Sequence, residues 1–195
     1  LCAFAARGLT TGVLMKSGYD RFRAGAVAQA VPYFERFERL DARDYEERFY
    51  AGALYQALGD HARALGSYER ALALYPGMQG AWYNLGNAAF VRGRYDEAIR
   101  CFGEALAINP CLVEAVNNRG NAWAQLGRHA DAERDYLRAL ALKPGYPDAM
   151  YNLAADAWLT GRKAAAARWL GRTLAADPGH RAARDLARLA GIRVP

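Results

Sequence analysis

Between residues 79 and 110 the chain alternates two apolar faces. Trp82, Leu85, Gly86 and Ala89 fall on one; Ala98, Ile99, Phe102, Ala105 and Leu106 fall on the other. Spacings of three and four residues put each group along one side of an α-helix. The same pattern recurs along most of the chain. It predicts helix pairs over 11–24 and 27–40, 45–58 and 61–75, 79–92 and 95–109, 113–126 and 129–143, and 147–160 and 163–176. A last helix is predicted near 180–190, where "RAARDLARLAGIR" carries an Arg-rich face suited to a solvated terminal helix. Pro32 falls inside the second predicted helix and should kink it or delay its start.

The pairs recur in steps of 34 residues without a gap. Gly25, Gly59, Gly93, Gly127 and Gly161 keep that step, each between two helical segments, where a tight turn needs positive φ. Gly18, Gly52, Gly86 and Gly120 keep it too, with Ala154 closing the series. These small residues lie mid-helix, where Gly costs about 1 kcal/mol against Ala. Accepting that cost repeatedly implies that two helices touch there with no room for a larger side chain. Ala30, Ala64, Ala98, Ala132 and Ala166 do the same on the partner helix. Phe34, Tyr68, Phe102, Tyr136 and Leu170 supply bulk between helices, and Pro76, Pro110, Pro144 and Pro178 end each unit. The resulting division is a lead-in over 1–10, five units over 11–178 (11–44, 45–78, 79–112, 113–146 and 147–180 by the 34-residue register), and a basic capping helix and tail over 179–195.

The third unit carries "WYNLGNAA" at 82–89, then Ala98, Phe102, Ala105 and Pro110. These residues resemble the tetratricopeptide repeat, whose 34-residue unit shows Trp, Leu-Gly, Tyr, Ala, an aromatic, Ala and Pro at those spacings. Ala89 replaces the Tyr; Tyr55 and Trp123 keep an aromatic at that position, whereas Arg21 and Ala157 do not. The resemblance spans residues 11–178. It implies an all-α, right-handed superhelical solenoid of five antiparallel helix-turn-helix units plus a C-terminal capping helix, with the first helices lining a concave groove. It also implies a protein or peptide partner rather than catalysis, although fold alone does not fix function.

Six of the seven asparagines lie in first helices: Asn84, Asn87, Asn117, Asn118, Asn121 and Asn152. Asn is a poor helix-interior residue, because its side chain competes for backbone hydrogen bonds. Asn84, Asn118 and Asn152 share one repeat position; Asn87 and Asn121 share another, three residues on. The core face is already taken by Trp82, Leu85, Gly86 and their equivalents, so these amides are expected to face the groove. An amide donates and accepts, and so can grip the backbone of an extended peptide without reading its side chains. Tyr83 and Tyr151 are expected to flank that peptide, beside other aromatics at or near the same positions, Tyr19, Phe22, Phe49, Tyr50, Phe90 and Trp158. Phe49 and Phe90 are the two expected to pack under a neighbouring helix instead. The "NLGN" stretch at 84–87 is similar to the asparagine-lined repeats of O-linked N-acetylglucosamine transferase. Duplication of one unit explains identical spacing equally well, so solvated asparagines are the competing reading. The carboxylate clamp of chaperone-binding repeats is not matched: Tyr83 stands where its first Lys belongs, and Asp148 and Asn152 stand where its Lys and Arg belong.

Composition narrows the remaining choices. Residues 161–195 hold eight basic side chains and two acidic ones, which accounts for the whole net charge of +6. This basic end is expected to be a solvated face, so neither nucleic acid nor membrane is the expected partner. Cys2, Cys101 and Cys111 form no C-x-x-C pair, and no two His stand four apart, so neither a disulfide framework nor a metal site is expected. No nucleotide-binding or hydrolase motif is present. Asp96–Glu97 and Asp131–Glu133 sit at starts of second helices, where the positive helix end favours them. The sequence therefore predicts a non-enzymatic adaptor without a cofactor, binding an extended protein segment. A structural spacer acting through its outer faces, or the repeat segment of a larger enzyme, stays open. The compartment expected is reducing and cytoplasmic; residues 1–15, small and apolar around Cys2, leave the tail of a signal or lipoprotein leader as the alternative.

Overall fold

The computed structural model describes residues 16–38 and 45–192. The expectations for residues 1–15, for Ala42 and for the last three residues lie outside that range. The helices are α1 (16–23), α2 (Val27–Glu38), α3 (Tyr45–Ala57), α4 (His61–Leu74), α5 (Gln79–Val91), α6 (Tyr95–Ile108), α7 (Val113–Gln125), α8 (His129–Leu142), α9 (Pro147–Leu159), α10 (Lys163–Ala176) and α11 (Arg181–Leu189). No strand occurs among the described residues. From α2 onward every helix end lies within two residues of its predicted place. Pro32 is the departure. α2 begins in register at Val27 and continues through the proline, so the ring does not delay it.

One device makes every turn inside a pair. Gly59 takes φ +76°, its N–H donates to Gln56 O at 3.0 Å, and the Asp60 N–H reaches back to Tyr55 O at 2.8 Å. This is a Schellman ending, which satisfies the last carbonyls of the first helix. Gly25, Gly93, Gly127 and Gly161 repeat it with φ between +71° and +77°. Second helices end differently. Tyr75, Asn109, Lys143 and Asp177 are extended, with φ from −141° to −130°, and each precedes a proline. The proline ring disfavours helical backbone in the residue before it.

The chain divides into two compact units, residues 1–88 and 89–195, with α5 running across the division. In the first unit, α3 packs on α4 around Ala51, Leu54, Tyr55, Ala64, Tyr68 and Ala71, all buried. Gly52 lies against the Tyr68 ring, and Gly18 against Phe34. In the second unit, α7 packs on α8 and α9 on α10, with Gly120 against Tyr136. The small column and the aromatic column therefore meet, as the sequence implies. Where the ring gives way to Leu170, the glycine gives way to Ala154, and both are fully buried with Ala183 and Ala187 of α11. The opposite side of α11 carries Arg181 and Arg188, both exposed and close to Asp185.

Candidate functional site

In the second unit hydrogen bonds join three amides of α7 and α9, and a fourth is held by a tyrosine of α8. Asn117, Asn118 and Asn121 lie on α7, and Tyr151 and Asn152 on α9. Asn152 Nδ2 donates to Asn117 Oδ1 at 3.0 Å, and Asn117 Nδ2 to Asn118 Oδ1 at 3.4 Å. The Tyr136 hydroxyl on α8 donates to Asn121 Oδ1 at 2.9 Å. Asn117 is 3% exposed, so its side chain holds Asn152 and Asn118 in place from beneath. Asn118, Asn121 and Asn152 are half-buried, with one side turned outward. Each bond also fixes an amide's orientation: Asn121 keeps its Nδ2 donor available and Asn152 its Oδ1 acceptor.

Tyr151 is half-buried at the end of this row, its ring 5.0 Å from that of His180. His180 is itself pinned, its Nδ1 accepting the Ala183 N–H at the start of α11 at 3.2 Å.

In the first unit the Tyr68 hydroxyl donates to Gln56 Oε1 at 2.9 Å, with Asn84 of α5 beside it. Asn87 and Tyr83 are half-buried on the same helix. Phe49 turns inward: its ring lies 5.7 Å from that of Tyr68, and Gly80 packs against it. Tyr19 and Tyr50 meet at a tilt with centroids 4.6 Å apart. Phe90, in the second unit, lies edge-on to Tyr95 at 5.4 Å. Burial pushes the Tyr68 and Tyr136 hydroxyls well above their usual 10.0; neighbouring Asn84 pulls Tyr68 back slightly, and Asp156 and Asp135 push Tyr136 further up.

Among the described residues no three His, Cys, Asp or Glu come together as a metal site, and no helix is long and apolar enough to cross a membrane. Family models of the tetratricopeptide repeat match residues 15–79, 80–110, 113–146 and 147–172. The chain is a tetratricopeptide-repeat protein. No curated protein matches its sequence. Solved structures with the same fold include residues 41-end of MamA from Desulfovibrio magneticus RS-1, at 19% identity and TM-score 0.81, covering 88% of this chain and 97% of that one. YrrB, described as a TPR protein with an unusual peptide-binding site, shows 19% identity and TM-score 0.77 over 90% of each chain. PilW, a type IV pilus biogenesis factor, shows 22% identity and TM-score 0.80, covering 93% of this chain and 86% of its own.

Two polar clusters in the tetratricopeptide array escape the column reading. Arg119 and Asp135 form a two-pronged ion pair, both bonds 2.8 Å, with Asp135 buried. They occupy the repeat positions of Leu85 and Cys101. The hydrogen bonds to Asp135 hold the Arg119 guanidinium even more firmly protonated than usual. Farther along, buried Asp156 takes His129 Nδ1 at 2.6 Å and Arg162 at 3.0 Å, and Arg162 reaches on to Glu133 at 2.8 Å. This joins α8, α9 and the start of α10. The signal available in the sequence was the departure itself: Arg where the other units hold a small or apolar residue, and Asp156 where two units hold Ala.

Proposed function

We propose that this protein is a non-enzymatic adaptor that binds an extended segment of a partner protein on the face of its first helices. Tetratricopeptide repeats are protein-interaction modules, and their stacked helix pairs leave one face for a ligand. The observation that carries the reading is the amide row on α7 and α9. Tyr136 and Asn117 use up one end of Asn121 and of Asn152, so a donor and an acceptor are left facing outward. A peptide backbone offers the complementary acceptor and donor at every residue. Tyr151, braced by His180, gives an adjacent flat surface for an apolar side chain. Asn84 and Asn87 have the corresponding role in the first unit. The likeness of "NLGN" to the asparagine-lined repeats of O-linked N-acetylglucosamine transferase supports this assignment, as does the peptide-binding site described for YrrB.

The test is selection of phage-displayed random peptides on the full chain. Binding of a selected peptide is then measured for wild type and for the double variant N121A/N152A. The expected result is an enriched peptide whose affinity falls about tenfold or more in the variant, the equivalent of two neutral hydrogen bonds. An unchanged affinity, with both proteins equally helical by circular dichroism, would remove the amide row from the binding site.

A further inference from the structure

Leu189, Val91 and Leu159 are 80%, 78% and 77% exposed, whereas no other large apolar side chain among the described residues exceeds 47%. All three fall at positions of the asparagine-bearing face. Val91 lies four residues after Asn87 on α5, and Leu159 seven after Asn152 on α9. Leu189 on α11 holds the repeat position of Asn87 and Asn121, and Leu186 holds that of Asn84, Asn118 and Asn152. The capping helix therefore carries leucines at both asparagine positions.

The packing of α11 is that of a further first helix. Ala183 and Ala187 take the repeat positions of Ala149 and Leu153, and all four are buried. Leu186 and Tyr151 pack against the same buried cluster of Ala154, Leu170, Ala183 and Ala187, which sets α11 beside α9. At about 100° per residue, Leu186, Leu189 and Ala182 form a strip along one edge of the buried stripe, and Arg184 falls on the other side. Arg181 and Arg188 are drawn to Asp185, at 4.0 and 3.6 Å. No side chain of the strip can hydrogen-bond. A peptide backbone laid over it would lose water and gain no partner, so the contact the strip favours is an apolar side chain.

One charge borders this face. Asp148 lies one turn before Tyr151 and Asn152 on α9, with its side chain 58% exposed. Its ion partner is His180 at 3.5 Å; no Lys or Arg among the described residues pairs with it. The other carboxylates of α8 and α9 each hold an Arg: Asp131, Glu133, Asp135 and Asp156. Glu114 has the repeat position of Asp148 on α7 and forms no ion pair among the described residues. The helix dipole favours an acid in the first turn of α9, but it leaves the outward side of that carboxylate open to a cation.

We propose that the α9–α11 face takes a large apolar side chain of the bound segment against Leu159, Leu186 and Leu189, with a nearby Lys or Arg of the same segment paired to Asp148. This rests on the adaptor reading and names the kind of segment bound. The amides of α7 and α9 hold the backbone, and the strand then reaches a helix that offers only apolar contact. Neighbouring helices lie about 8–10 Å apart and an extended strand advances ~3.3 Å per residue, so the two side chains stand roughly three residues apart. An acidic segment would meet Asp148 with like charge.

The test selects phage-displayed random peptides on the full chain as wild type, Leu189→Ser and Asp148→Asn, and reads each pool by sequencing. Both substitutions are at exposed positions, and circular dichroism checks that all three proteins are equally helical. Light scattering gives their oligomeric state. Wild type is expected to be monomeric and to enrich an apolar residue spaced from a Lys or Arg by about tenfold over the input, worth ~1.4 kcal/mol. Leu189→Ser should lose the apolar preference and keep the basic one; Asp148→Asn should do the reverse. A wild-type pool without that pairing, or a pairing that neither substitution changes, would overturn the assignment and leave the adaptor reading standing. A wild-type dimer that Leu189→Ser dissociates would also overturn it, by giving the face to a second copy. A helical wild type that retains no peptide at all would overturn both.

Discussion

A Cβ placed on Gly52 would stand 2.6 Å from Tyr68 Cε1, closer than real side chains approach. Tyr68 is 1% exposed, so its ring has nowhere to move. Gly120 stands in the same relation to Tyr136, at 2.7 Å. Gly66 on α4 and Gly103 on α6 are also mid-helix, but nothing lies within 4 Å of their Cβ positions. The four glycines should therefore split by sign. Gly52→Ala and Gly120→Ala should destabilise by about 1–3 kcal/mol through overpacking. Gly66→Ala and Gly103→Ala should stabilise by about 0.5–1 kcal/mol through helix propensity. Urea midpoints of the four single variants give the comparison. The same sign for all four would mean that ring contact is not what keeps glycine in the column.

The Arg119–Asp135 pair stands where the third repeat has Leu85 and Cys101, which makes that repeat a ready template for replacing it. Arg119→Leu alone leaves a buried carboxylate without its partner and should cost about 3–5 kcal/mol. The double variant R119L/D135C removes both charges and should recover most of that loss, because a buried pair contributes little beyond its own desolvation. A double variant no more stable than R119L would show that the pair itself contributes to the fold. The coupling is read from a double-mutant cycle by urea unfolding.

The fold was legible because its columns answer to simple geometry. Gly59 and its equivalents need positive φ, Pro76 and its equivalents stop helices, and Gly52 must pass under a ring. Each constraint recurs every 34 residues, so each helix boundary is stated five times or nearly so. The candidate site was legible only in its residue types. Asn117 and Asn118 are adjacent in sequence and both looked available to a ligand, but a one-residue step turns a helical side chain by about 100°. That turn buries Asn117 and leaves Asn118 half-buried. The hydroxyls of Tyr68 and Tyr136 were hidden inside a column read only for its bulk. The alternation of Phe and Tyr along that column was the available clue, since Phe fills the same space without needing a hydrogen-bond partner.

Those two hydroxyls make stability sensitive to alkali. Burial is the main cause that raises each above its ordinary 10.0. A group whose pKa is raised in the folded state contributes stability that is fully present below its unfolded value. That contribution declines as the pH rises from there toward the folded value. Urea stability should therefore fall once the pH passes about 10. Tyr68→Phe should be less stable by about 1 kcal/mol at neutral pH, having lost a buried hydroxyl's bonds. Its decline above pH ~10 should be shallower than that of wild type. Parallel curves for the two proteins would show that Tyr68 does not titrate against folding.

Asn117 and Asn121 separate support from contact within one helix. Asn117 is enclosed and accepts from Asn152 at 3.0 Å, so Asn117→Ala strands a half-buried amide and opens a small void. It should lower stability by about 1–3 kcal/mol and weaken peptide binding indirectly, through a less ordered Asn152. Asn121 is half-buried and accepts from the hydroxyl of buried Tyr136. Asn121→Ala should cost about 1 kcal/mol of stability, because water can enter the half-buried site it vacates and accept from the hydroxyl, yet should weaken binding directly. The two effects come apart in the double variant Y136F/N121A. Removing the hydroxyl as well leaves no unsatisfied donor, so stability should return to within about 0.5 kcal/mol of Tyr136→Phe alone, while binding stays at the Asn121→Ala level. Peptide affinity that instead follows stability across all four proteins would place Asn121 with Asn117, as a support for the row and not as the part of it that meets the ligand.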